Sequence, residues 1–205
     1  MNEGYISVLN KIASDSPTPG GGTVAALTLS HANSLAMMVA RLTLGKSKWE
    51  NGQNIANEIV IFSSESMDKS LSLAEEDAKA FDKVMNAYRL PKSNDLETKA
   101  RNEMILVATI GAAHTPSLIT IESEKLLSKL PELAEFGNAN AITDLAASAE
   151  LAYTAAYIAS LNVKINVDSL DNDELRMIQE NTMQVLSKSK NSLELIREIV
   201  KKRMN

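Results

Sequence analysis

Cysteine is absent from the 205 residues, which excludes disulfide staples and thiolate chemistry. Histidine occurs only twice, so a His-rich metal site is not expected. Aromatic residues make up 4% of the chain and proline five positions. No segment alternates apolar and polar residues as a half-buried strand would.

A basic excess is missing too. Twenty-one Lys and Arg against twenty-six Asp and Glu leave a net charge of -5. A general nucleic-acid or anionic-membrane binder needs a basic surface, so neither partner is expected. Met1-Asn2-Glu3-Gly4 lacks the basic start and apolar core of a signal peptide, and the expected location is cytoplasmic. The long apolar run Val24 to Leu44 contains Ser30, His31, Asn33, Ser34 and Arg41, which suit a buried helix of a soluble bundle better than a membrane span.

What is present is helical periodicity, with apolar residues recurring at three and four. The expected fold is all-α, an up-and-down bundle of long helices forming one domain over 1–205. A short helix is expected near Tyr5 to Ala13, a second ending near Gly45, and a third from about Asn51 to Tyr88, stopped by Leu90-Pro91. Asn94-Asp95-Leu96-Glu97 has the form of a capping box, and Pro116 should kink the helix that follows or start a new one. After Pro131 and Gly137 a helix is expected from about Ala139 to Leu161, and Asp171-Asn172-Asp173-Glu174 opens the last one. The Ala- and Ser-rich second helix belongs at the bundle centre or at a dimer interface, with His31 a packed or interface residue.

The run Ser16-Pro17-Thr18-Pro19-Gly20-Gly21-Gly22-Thr23 departs furthest from helical composition. Three glycines before a long helix permit close backbone approach by a ligand. A flexible linker or a tight helix crossing would use the same residues. The run is neither a GxGxxG fingerprint nor a P-loop, because no Lys-Ser/Thr follows at the required offset.

Among the carboxylates, Asp77 faces the wrong way for a solvated group. Its neighbours at helical spacing are Leu73, Ala74, Ala80 and Phe81, whereas Glu75 and Glu76 have Ser72, Lys79 and Lys83 among theirs. An inward carboxylate has its pKa raised unless donors compensate, which suits general acid/base work; it could equally cap or pair with another helix. Asp144, beside Asn140, Ala141, Ala147 and Ser148, reads as inward or as a helix cap. Glu150 reads as inward, bonded to a tyrosine. Lys46, Lys48, Arg89 and Lys92 could receive ligand carboxylates or simply complement helix C-termini.

Six segments in order resemble the cyclodeaminase domain of the formiminotransferase-cyclodeaminase family, which also contains stand-alone methenyltetrahydrofolate cyclohydrolases. They are Pro19-Gly20-Gly21-Gly22-Thr23-Val24-Ala25-Ala26, Leu44-Gly45-Lys46, Ala74-Glu75-Glu76-Asp77-Ala78-Lys79-Ala80-Phe81, Ala87-Tyr88-Arg89-Leu90-Pro91-Lys92, Gly137-Asn138-Ala139-Asn140-Ala141-Ile142-Thr143-Asp144 and Leu161-Asn162-Val163-Lys164-Ile165-Asn166. The resemblance covers essentially the whole chain.

That resemblance implies a homodimeric helical bundle acting on one-carbon units of tetrahydrofolate, with no metal or bound cofactor. It implies that Asp77 is the proton acceptor. It places the folate against Gly20, Gly21, Gly22 and Thr23, its glutamate tail near Lys46, Arg89 or Lys92, and its pterin edge, or the orientation of Asp77, with Asn138, Thr143 and Asp144. The family commonly has Ser where Thr23 and Thr143 stand, and alanine-like residues where His31 stands. No formiminotransferase domain accompanies these residues, so the transfer step is expected of another protein or not at all. The implied reaction is ammonia-releasing cyclisation of 5-formimidoyltetrahydrofolate or, alternatively, 5,10-methenyltetrahydrofolate hydrolysis. A reading of another class is a non-catalytic helical dimer that binds folate or a partner.

Overall fold

Long helices with one apolar stripe each have to bury those stripes against one another, and the cross-helix bonds show how they do so. The structure, a computed structural model, describes residues 4–204; Met1, Asn2 and Glu3, on which the leader argument leans, lie outside them. Seven helices follow in order: α1 (Tyr5–Ile12), α2 (Gly21–Thr43), α3 (Gln53–Tyr88), α4 (Asp95–Leu127), α5 (Leu130–Phe136), α6 (Ile142–Ser169) and α7 (Asp173–Met204). No strand occurs among the described residues.

Thr23 bonds Ala74 near the start of α2 and Asn33 bonds Ser66 further along, so α2 and α3 run antiparallel. Glu122 meets Lys69, and Arg101 meets the Tyr88 carbonyl, which sets α4 antiparallel to α3. Ser148 bonds Ala32 while Asn162 lies beside Gly21, and Thr120 bonds Ala156 while Asn166 bonds Ala112, which does the same for α6 against both α2 and α4. These four helices form an up-and-down bundle, and α7 packs against α4 and α6. α2 packs between α3 and α6 but is not the centre of the bundle, because His31, Ser34, Met38, Arg41 and Leu42 form an exposed stripe along its outer face.

Small residues allow the close approach. Ala25, Ala32, Ala36 and Ala40 on α2 and Ala149, Ala152, Ala155 and Ala159 on α6 are all fully buried. Leu29, Ile59, Ile119, Leu145 and Leu193 fill the spaces between helices, and full burial of each contributes about 2 kcal/mol. Glu122 is the one buried carboxylate among the described residues, and it is paired with Lys69 at 2.7 Å and Lys125 at 2.8 Å. Gly21–Thr43 and Asp95–Phe136 are long and apolar enough to cross a membrane, but 56% of each apolar window is buried inside the protein.

Several element boundaries differ from expectation for identifiable reasons. Gly21 and Gly22 are not loop residues: Gly20 is the N-cap and the other two form the first turn of α2. Pro116 starts no new helix, because α4 runs through it. Proline has no N–H for the Ala112 carbonyl, and the Asn166 side chain fills that gap at 3.1 Å. α6 begins at Ile142, after a 3-10 turn over Ala139–Ala141, and continues beyond Leu161 to Ser169. The capping box at Asn94 is real, with Glu97 N donating to Asn94 Oδ1 at 2.9 Å; its return bond goes to Ser93 N. Asn172 caps α7 by accepting from Glu174 N and Leu175 N.

α1 has no buried residue, and Tyr5, Ile6 and Leu9 are exposed. His31 is exposed in this chain rather than packed; its Nδ1–H donates to Leu27 O at 2.7 Å and its ring meets Tyr5 edge-on.

Candidate active site

At the end of the bundle where α2 begins, the first turn of α2 meets the middle of α3, and a cavity of about 380 Å³ opens between them and α4 and α6. Asp77 is half-buried on its wall. The Thr23 hydroxyl donates to Asp77 Oδ2 at 3.1 Å and also lies 3.3 Å from the Ala74 carbonyl. Burial pushes the Asp77 carboxyl above the ordinary value of 3.8, while hydrogen bonds from the Thr23 side chain and backbone N–H pull it back only in part. An inward-facing carboxylate whose affinity for protons is raised is thus what the sequence pattern anticipated, and it opens onto space a ligand can fill.

Gly20, Gly21 and Gly22 line the same cavity, so the glycine run and Asp77 are brought together. Phe81, Val84 and Tyr88 continue the Asp77 face of α3 along it. The pattern 77, 81, 84, 88 is a helical stripe visible in the sequence, although only Asp77 was singled out from it. Asn162 and Asn166 of α6 and Thr109 of α4 complete the wall. Sequence reasoning missed all three; the four-residue spacing of the two asparagines was the available signal.

The other sequence candidates lie elsewhere in the chain. Lys46, Asn138, Thr143 and Asp144 gather at the opposite end of α2, about 33 Å away along a 23-residue helix. Asn138 donates through Nδ2 to Leu42 O at 2.9 Å and through its backbone N–H to Thr43 Oγ1 at 3.0 Å, holding the last turn of α2. Thr143 is exposed and Asp144 half-buried. Lys46 is exposed. Glu150 bonds no tyrosine; it forms a bidentate pair with Arg197 at 2.7 and 2.8 Å. Arg89 follows Tyr88 directly and donates to Asn86 Oδ1, and Lys92 is exposed in the α3–α4 connection. Arg101 lies over the Tyr88 ring and donates to its carbonyl, so Arg89 and Arg101 flank Tyr88 at the outer end of the cavity.

The sequence profile of the formiminotransferase-cyclodeaminase family matches residues 5–201. The chain belongs to that family. A methenyltetrahydrofolate cyclohydrolase of Methylorubrum extorquens is 35% identical over 171 residues, covering 83% of this chain and 82% of that protein. The formimidoyltransferase-cyclodeaminase of Gallus gallus is 28% identical over 92% of this chain, which spans only 35% of that longer protein. The crystal structure of a formiminotetrahydrofolate cyclodeaminase from Thermotoga maritima superposes with a TM-score of 0.85 at 28% identity, over 95% of this chain and 93% of that one. The all-helical architecture and the family read from the six motifs therefore hold. Within this family member, the glycine run and Asp77 meet at one cavity.

Proposed function

We propose that the chain is a folate one-carbon enzyme that cyclises 5-formimidoyltetrahydrofolate to 5,10-methenyltetrahydrofolate and releases ammonia. One observation carries this reading: a single half-buried carboxylate of raised pKa stands on a cavity lined, among the described residues, by otherwise neutral groups. N10 attacks the carbon of the protonated N5 formimidoyl group, forming the N10–C bond and a tetrahedral centre. The Asp77 carboxylate takes the N10 proton and then gives it to the amino group, which leaves as ammonia as the carbon–nitrogen bond breaks. One group serves as base and then as acid, so no second carboxylate is needed. The reaction is intramolecular, and holding N10 against the carbon supplies much of the remaining acceleration. The cationic methenyl product forms beside the ionised carboxylate, which stabilises it.

A second reading has its own support. The M. extorquens relative is named a cyclohydrolase and is matched over most of its length. In that reaction water replaces ammonia at the same carbon, and Asp77 moves the same kind of proton. Incubating the purified chain separately with 5-formimidoyl- and 5,10-methenyltetrahydrofolate distinguishes the two. Methenyl absorbance appearing with ammonia identifies the cyclodeaminase, methenyl loss above the spontaneous rate identifies the cyclohydrolase, and silence in both leaves a non-catalytic helical protein.

The reading includes no resident metal or cofactor, a cytoplasmic location and a homodimer. Exposed Tyr5, Ile6 and Leu9 on α1, and Tyr157, Leu161 and Ile165 at four-residue spacing on α6, support the dimer, because apolar stripes of this kind favour burial against a second copy. A role for Lys46, Asn138, Thr143 or Asp144 at the ligand requires that a second copy bring that end of the bundle to this cavity. In this reading the glutamate tail leaves past Tyr88 and is met by Arg89 and Arg101 on either side of it.

A further inference from the structure

The α6 wall of the cavity carries Asn162 and Asn166 one helical turn apart, about 6 Å along the axis. What their amino groups donate to fixes how the carboxamides are turned. Asn166 Nδ2 donates to Asn162 O at 2.8 Å and to Ala112 O at 3.1 Å. The second bond exists because Pro116, four residues after Ala112, has no N–H to offer. Asn162 Nδ2 donates to Ile158 O at 2.9 Å. Asn166 commits both of its N–H groups to carbonyls and Asn162 commits one, which turns the carboxamides so that the two Oδ1 atoms are left as acceptors, and neither receives a hydrogen bond from any described residue. Thr109, only 1% exposed on the facing α4 wall, has a hydroxyl without a partner among the described residues.

Among the described residues that line the cavity, Asp77 is the only charged one, and none is a lysine or arginine. A ligand carboxylate placed here would face uncompensated acceptors, so the glutamate tail belongs outside. A neutral edge rich in N–H donors belongs inside. We propose that Asn162 and Asn166 accept hydrogen bonds from the 2-amino group and N3–H of the pterin ring, with the Thr109 hydroxyl meeting the 4-oxo group, so that these carboxamides select the amino-oxo edge of the folate. This rests on the folate reading above and adds its specificity. It turns the pterin toward α6, opposite Asp77, with the tail running out past Tyr88.

Folic acid and aminopterin test it, because replacing the 4-oxo by a 4-amino group turns N3 from a donor into an acceptor. Their affinities are measured by calorimetry on the full chain, alongside KM and kcat for the turned-over substrate. The wild-type protein should prefer folic acid by roughly tenfold or more, the cost of unpaired buried polar groups. Asn162→Ala and Asn166→Ala should collapse that preference and raise KM more than they lower kcat. Asn166 also ties α6 to α4, so Asn162→Ala, whose own donated bond stays within its helix, keeps the test independent of folding. Equal wild-type affinities, or a preference that survives both substitutions, overturn the recognition while turnover still upholds the folate reading. A wild-type chain that neither turns over substrate nor binds folic acid overturns both.

Discussion

A Cβ placed on Gly22 would lie 2.2 Å from Asp77 Oδ1 and 2.6 Å from its Cγ, distances no real side chain tolerates. The carboxylate therefore occupies the space that any other residue at position 22 would need. Gly21 differs, since a Cβ there would meet Asn162 Nδ2 at 3.6 Å, an ordinary contact. Gly22→Ala should displace Asp77 and reduce kcat/KM by roughly a hundredfold or more, as for loss of a general acid/base. Gly21→Ala should fold with an unchanged melting temperature. Assays and thermal melts of the two variants check this, and equal behaviour would refute it.

Asp77→Asn should lower kcat by about a hundredfold or more while leaving the fold no less stable at pH 7. The folded carboxyl is raised above 3.8 because burial disfavours its charge. Ionisation thus costs stability progressively as pH rises from 3.8 through the folded value, and in full above it. Asparagine removes that cost but can still accept from Thr23. The melting temperature of the variant should equal or exceed that of the wild type at pH 7, and the difference should vanish below pH 3.8, where Asp77 is protonated in both states.

The Thr23 hydroxyl pulls the Asp77 pKa down against burial. Thr23→Val keeps the shape and removes the donor, so the pKa should rise further. Activity needs the carboxylate ionised to take the N10 proton, and the acidic limb of the kcat/KM profile should move to higher pH. Thr23→Ser should restore the limb to its original position. A profile unmoved in Thr23→Val would mean that the limb reports another group.

Much of this was legible in the chain because it is written in local spacing. The helices, the cap at Asn94 and the inward face of Asp77 all follow from residues three or four apart, and the run Asp171–Glu174 marks the start of α7, where Asn172 is the residue that caps. The α6 side of the cavity was not legible, because Asn166 faces it partly through a debt incurred elsewhere, the missing N–H of Pro116. The structural part played by Asn138 was hidden for a related reason, since a polar loop near a helix start looks like a ligand site. Its side chain holds the last turn of α2, a partner 96 positions away in sequence.

Glu122 should give stability of the opposite sign to Asp77. Burial pushes its carboxyl up, but hydrogen bonds and charge from Lys125 and Lys69 more than offset this, and it lies below its ordinary 4.5. The resulting stabilisation is complete above pH 4.5 and is lost as pH falls through the folded value. Charged hydrogen bonds contribute roughly 1.5–3 kcal/mol, but both lysines are about half exposed and screened by water. Glu122→Gln should therefore cost on the order of 1 kcal/mol at pH 7, or about 2–4 °C in melting temperature. The loss should shrink in high salt, which screens the lysines, and disappear in acid. Thermal melts across pH at two salt concentrations measure both effects, and a loss independent of pH would place the role of Glu122 in packing rather than in charge.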